Sequence, residues 1–121
     1  MMFIGIDISK EKIDLSWLRD QLTNKIKTKV FKNKRQDFVT IEKWLLNTTK
    51  SAANELVITL EPTGVYHEAL MYFLYEQGFN IILANPGKAK KYADALNIIH
   101  KTDKSDATML AHYGCAKHAV V

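Results

Sequence analysis

The sequence predicts a single α/β domain on a mixed five-stranded sheet, with an antiparallel meander of three strands, two parallel strands after it, and helices flanking the faces. Three observations carry that prediction. Residues 2–31 alternate apolar and polar positions with period two, interrupted by short polar turns. Two segments with helical apolar spacing then bracket a short apolar strand, and a further strand closes at Asn85-Pro86-Gly87. Strand, helix and strand at that spacing form a right-handed parallel crossover.

Each element has a local reason. Residues 2–8, Met-Phe-Ile-Gly-Ile-Asp-Ile, place Ile4, Ile6 and Ile8 on one face and Phe3, Gly5 and Asp7 on the other. Ser9-Lys10-Glu11-Lys12 is a polar turn, and residues 13–18 resume the strand pattern as a hairpin. A third strand is expected near residues 27–31, with Lys25, Lys27 and Lys29 on one face. Phe38, Val39, Ile41, Trp44, Leu45 and Leu46 predict a helix over 36–49. Residues 56–60 form the fourth strand, stopped at Glu61-Pro62 because proline forces the preceding residue into an extended conformation and donates no ladder bond.

Residues 65–77 are expected to be helical, with Val65, Ala69, Leu70, Phe73 and Leu74 facing inward and Gly78 as the left-handed stop. The fifth strand covers 80–84, a short helix 88–96, and a last helix starts near Thr102 or Asp103 and runs to Lys117. Trp17, Trp44 and the aromatics Tyr66, Tyr72, Phe73, Tyr75 and Phe79 are expected in the core or in helix packing.

With 121 residues and 47% hydrophobic content, the chain has room for one core and no second domain of ordinary size. No apolar run approaches the roughly 20 residues of a membrane span, and the N-terminus lacks a secretory pattern. Cys115 stands alone, which suits a reducing, cytoplasmic compartment. His112 and Cys115 are half a zinc site at most, and no phosphate-binding glycine motif occurs. The end at Ala-Val-Val, without cap or polar tail, predicts a fragment of a longer protein.

The net charge of +4 is concentrated. Lys25, Lys27, Lys29, Lys32, Lys34 and Arg35 form one block; Lys88, Lys90, Lys91, Lys101 and Lys104 form another beside the last acidic segment. Such blocks are the footprint of phosphate-backbone contacts, although lysines also guard exposed strand edges. Lys10 joins the second group as a candidate nucleic-acid contact.

Four acids stand at element ends: Asp7, Glu61, Asp103 and Asp106. Asp7 sits in an apolar strand, where an ionised carboxylate needs a partner, whether a metal or the Ser9 turn that it would cap. Asp103 and Asp106, at i and i+3, share one face of a first helical turn; they suit a helix cap as well as a shared ion. Carboxylates arriving from three segments are how a chain gathers a hard divalent cation.

Gly5-Ile6-Asp7-Ile8-Ser9-Lys10, Glu61-Pro62-Thr63-Gly64-Val65-Tyr66 and Lys101-Thr102-Asp103-Lys104-Ser105-Asp106-Ala107, followed by Leu110-Ala111, together resemble the N-terminal domain of the IS110/IS1111-type insertion-sequence transposases, whose relatives include the Piv DNA invertases. The resemblance spans nearly the whole chain. It implies an RNase H-like, RuvC-like fold and a DEDD tetrad on Asp7, Glu61, Asp103 and Asp106 that binds Mg²⁺ or Mn²⁺, as a pair of ions. It also implies DNA as substrate, a structured guide RNA in some members, self-association of the intact protein, and a missing C-terminal domain that carries a serine nucleophile. Lys101 or Lys104 would then meet the scissile or a flanking phosphate. Two other readings compete: a non-enzymatic nucleic-acid or assembly module, and an actin-like ATPase lobe, whose glycine-rich phosphate loop the segment 8–12 lacks.

Overall fold

The computed structural model describes residues 1–20, 23, 25–96 and 106–119. Strands β1 (Met2–Ile8), β2 (Lys12–Asp20) and β3 (Lys25–Lys32) form the meander, and β4 (Leu56–Leu60) and β5 (Asn80–Leu83) complete a sheet of order β3-β2-β1-β4-β5. The β1–β2 and β2–β3 pairs are antiparallel, and β1–β4 and β4–β5 are parallel. The helices are α1 (Arg35–Thr49), α2 (Glu68–Glu76), α3 (Pro86–Leu96) and α4 (Asp106–Ala119).

One sheet face is the main core. Ile4, Ile6 and Ile8 of β1, Ile13 and Leu15 of β2, and Ile58 and Leu60 of β4 pack with Phe38, Ile41 and Leu45 of α1 and Leu70 and Leu74 of α2, all buried. Hydrophobic burial on this face is the principal stabilising force. Trp17 and Trp44 pack against this cluster as half-buried residues.

The other face is built for close approach. Gly5 has Ser16 of β2 and Thr59 of β4 as its cross-strand neighbours, so three small side chains lie in a row across the middle of the sheet. Helix α4 settles into that trough with small residues of its own, buried Ala107, Ala111 and Gly114. A Cβ on Gly5 would stand 2.6 Å from the Ala111 nitrogen and run into the Ala107 carbonyl oxygen. One on Gly114 would strike the Thr59 hydroxyl and lie 3.1 Å from Thr59 Cβ. The Ser16 and Thr108 hydroxyls close the contact with a buried hydrogen bond of 2.8 Å. At the other end of the helix the His118 ring meets Phe3 edge-on, 5.7 Å between centroids. Helix α4 therefore runs antiparallel to β1, its first residue, Asp106, at the end that holds Asp7.

Several expected boundaries move. Helix α2 begins at Glu68 rather than at residue 65, because residues 63–67 close on themselves: the Tyr66 N–H donates to the Thr63 carbonyl at 2.9 Å and the Thr63 N–H to His67 Nδ1 at 3.0 Å. Gly64 holds that turn with φ +56°. Val65, expected on the inward face, is 69% exposed, and Tyr66, Tyr72 and Tyr75 are exposed as well, whereas Phe79 is buried and Phe73 packs on the core. Helix α3 starts two residues earlier than expected, with Pro86 in the first turn and Asn85 Oδ1 accepting the Lys88 N–H at 3.1 Å. The start of the last helix, expected near Thr102 or Asp103, lies outside the described residues.

Candidate metal and nucleic-acid site

Asp7 and Glu61 owe their proximity to strand register. The last pair of the parallel β1–β4 ladder is Ile6 with Leu60, so Asp7 and Glu61 are the next residue on each chain. Pro62 ends the ladder there. Asp106 reaches the same end of the sheet because the Gly5 trough lets α4 lie low over β1. Asp103 falls outside the described residues, as do Lys101 and Lys104.

The electrostatics link the three described acids. Burial raises the Asp7 carboxyl above its ordinary value, the negative charges of Asp106 and Asp14 raise it further, and Lys12 lowers it in part. Burial likewise raises Glu61, reinforced by Asp106 and then by Asp7. Like charges held together in a partly desolvated place disfavour ionisation of each. The Ser9 turn does not use Asp7 as its cap: the Ser9 hydroxyl itself accepts the Lys12 N–H at 3.2 Å.

Asp14 was not anticipated. The β1–β2 register sets it opposite Asp7 on the same face, with its Oδ2 atom 3.7 Å from Lys12 Nζ. The signal was present in the sequence: once Ile8 pairs with Ile13 across the turn, Asp7 must pair with Asp14. Lys12 and Lys32, partners across β2 and β3, lie on that same face.

The donor set of Asp7, Glu61 and Asp106 is all carboxylate oxygen, which suits a hard cation such as Mg²⁺ or Mn²⁺ and not a soft metal. Among the described residues no three His, Cys, Asp or Glu side chains are already gathered tightly enough to enclose an ion. The chemistry of the donors and their mutual repulsion fit a divalent cation.

Of the basic residues, Lys10 is exposed in the turn after β1, and Lys88, Lys90 and Lys91 are exposed on α3. Helix α3 packs on α4 through Ala84, Ala89, Leu110 and Tyr113, with Tyr92 edge-on to Tyr113 at 6.0 Å. Its lysines therefore flank the helix that carries Asp106. The first lysine block divides: Lys27 and Lys29 pair with Trp17 and Leu15, so they stand on the α1/α2 side of the sheet, away from Asp7. No helix among the described residues is long and apolar enough to cross a membrane.

Comparison with known proteins agrees with this architecture. Over 99% of this chain and 96% of the other, the fold superposes on Thermus thermophilus RuvC in complex with a Holliday junction substrate, with a TM-score of 0.71 at 12% identity. A second Thermus thermophilus RuvC structure gives 0.65 at 14% identity, covering 98% and 97% of the two chains. The fold is thus RuvC-like, of the RNase H type. The pilin gene-inverting proteins of Moraxella lacunata and Moraxella bovis are each 31% identical over 116 residues, which is 96% of this chain and 35% of theirs. The chain spans about a third of the length of these relatives. The model of the IS110-type DEDD transposases matches residues 4–120, and with the RuvC-like sheet and the three acids at its end this chain belongs to that transposase family.

Proposed function

We propose that this domain supplies the divalent-metal site of a DNA recombinase or transposase, acting on phosphodiester bonds in the movement or inversion of a DNA segment. The observation that carries the reading is the electrostatic coupling of Asp7, Glu61 and Asp106, which arrive from three separate elements at one end of the sheet. Family membership and the pilin gene-inverting relatives support the class of reaction.

Asp7, on the central strand, would be the ligand shared by a pair of ions. Glu61 and Asp106, with Asp103, would hold the outer positions. A pair of divalent cations held there would supply stabilisation of the negative charge that develops on the reacting phosphate oxygens. Lys10, Lys88, Lys90 and Lys91, with Lys101 and Lys104, would hold the phosphate backbone against the carboxylates' own repulsion. The nucleophile belongs to a region beyond this domain; neither Ser9 nor Ser105 is assigned that role. A structured guide RNA, self-association of the intact protein and action in the cytoplasm are part of the same proposal.

The open spacing of the described acids favours one rival, a nucleic-acid-binding assembly module in which the carboxylates only cap elements. Intact protein carrying Asp7→Ala or Glu61→Gln decides between them. The recombinase reading expects DNA binding to be retained while strand exchange on a supercoiled plasmid, with Mg²⁺ or Mn²⁺ supplied, falls to background. Exchange at the wild-type rate in both variants would sink the proposal.

A further inference from the structure

The β1–β4 ladder ends at the Ile6–Leu60 pair, so strand pairing does not hold the backbone of Asp7 and Glu61 against each other. Each acid is followed by a loop that closes on itself. After Asp7, the Ser9 N–H donates to the Lys12 carbonyl at 2.9 Å. After Glu61, the Thr63 hydroxyl donates to the Glu61 carbonyl at 3.3 Å and the Thr63 N–H donates to His67 Nδ1.

Asn33, in the short link between β3 and α1, joins the two loops. Its side-chain Nδ2 donates to the Ser9 carbonyl at 2.9 Å and to the Tyr66 carbonyl at 3.1 Å, and its backbone N–H donates to the Glu11 carbonyl at 3.0 Å. Both side-chain partners are carbonyl oxygens, so only the NH₂ end of the amide satisfies them and the amide orientation is determined. Serine or aspartate at this position could not donate to both.

We propose that Asn33 is a positioning residue that sets the separation of Asp7 and Glu61 by cross-linking the loops that leave their strands. The inference rests on the metal-site reading above. Its bonds go to backbone carbonyls and not to the carboxylates, so Asn33 acts through the loops. The acids repel one another, and a tie just beyond the last ladder pair opposes their spreading and lowers the cost of gathering them around a cation.

The test uses this 121-residue chain with Mn²⁺ as probe, comparing wild type with Asn33→Ala and with Asn33→Asp, which keeps the volume but loses the donors and decides the matter if alanine unfolds the chain. Amide hydrogen exchange at Lys12, Thr63 and Tyr66 should accelerate in both variants, and Mn²⁺ affinity, followed by paramagnetic broadening near residues 7 and 61, should fall about tenfold or more with Tm nearly unchanged. Agreement of the two variants excludes an effect of the added charge. Affinity within about twofold of wild type, or exchange unchanged in either loop, would overturn the proposal. A wild-type chain that binds Mn²⁺ nowhere near these residues would instead overturn the metal-site reading, and the exchange comparison would still decide whether Asn33 couples the loops.

Discussion

Asp7 shows what a partly buried carboxylate among other acids costs the fold that holds it. Its carboxyl and that of Glu61 are raised in the folded state by burial and by neighbouring negative charge. A raised acid binds more protons folded than unfolded, so stability is greatest below the ordinary carboxylate range and is lost as pH climbs through the raised values. Asp7→Asn should therefore stabilise the metal-free chain at neutral pH, by about 0.5 kcal/mol or more given its partial exposure, and flatten the fall of Tm between pH 4 and 7, as read by thermal melts. Equal pH profiles for variant and wild type would show that Asp7 carries no such strain. The position of Asp7 was legible in the sequence because a lone acid in an apolar strand is conspicuous. Asp14 was not, because a single acid in a hairpin strand gains meaning only when paired opposite another.

At the scale of the element, the contact between β1 and α4 decides whether the site exists. Gly5, Ser16 and Thr59 form the floor, and Ala107, Ala111 and Gly114 the underside of the helix. Gly5→Ala should destabilise by about 3 kcal/mol or more, since the clash is with helix backbone that no side-chain rotation relieves, and urea unfolding would measure it. Gly114→Ala meets a threonine side chain instead and should cost less, about 1–3 kcal/mol. A neutral Gly5→Ala would contradict the close approach. The strands and α1 were readable from periodicity and turn residues. The start of α2 was not: the His67 side chain, not any helix propensity, captures the Thr63 N–H and delays the helix to Glu68. Tertiary placement of the exposed Tyr66, Tyr72 and Tyr75 was equally hidden, because an amphipathic pattern with aromatics on both sides does not say which side is covered.

For the whole molecule, the sheet divides the charge. Lys12 and Lys32 share the sheet face of Asp7 and Asp14, and the α3 lysines are exposed on the helix that packs against α4, while Lys27 and Lys29 occupy the opposite face. Replacing Lys88, Lys90 and Lys91 with glutamine should weaken DNA binding across all sequences and reduce the slope of log K against log salt by about one for each phosphate left without its lysine. Replacing Lys27 and Lys29 should leave binding at the acidic end with its slope unchanged, as measured by fluorescence anisotropy over a salt series. The global fold thus followed from pattern and motif, which also singled out Asp7, Glu61 and Asp106 for notice. The sidedness of the lysines required the register of β2 on β3, which a sequence does not display. The measurement that bears most directly on the site is an amide NMR titration of the chain with Mn²⁺, wild type against Asp7→Ala. Broadening confined to the neighbourhoods of residues 7, 61 and 106, and abolished by the substitution in a chain that remains folded, is the predicted result; broadening that is absent, diffuse or indifferent to Asp7→Ala would contradict a shared metal site.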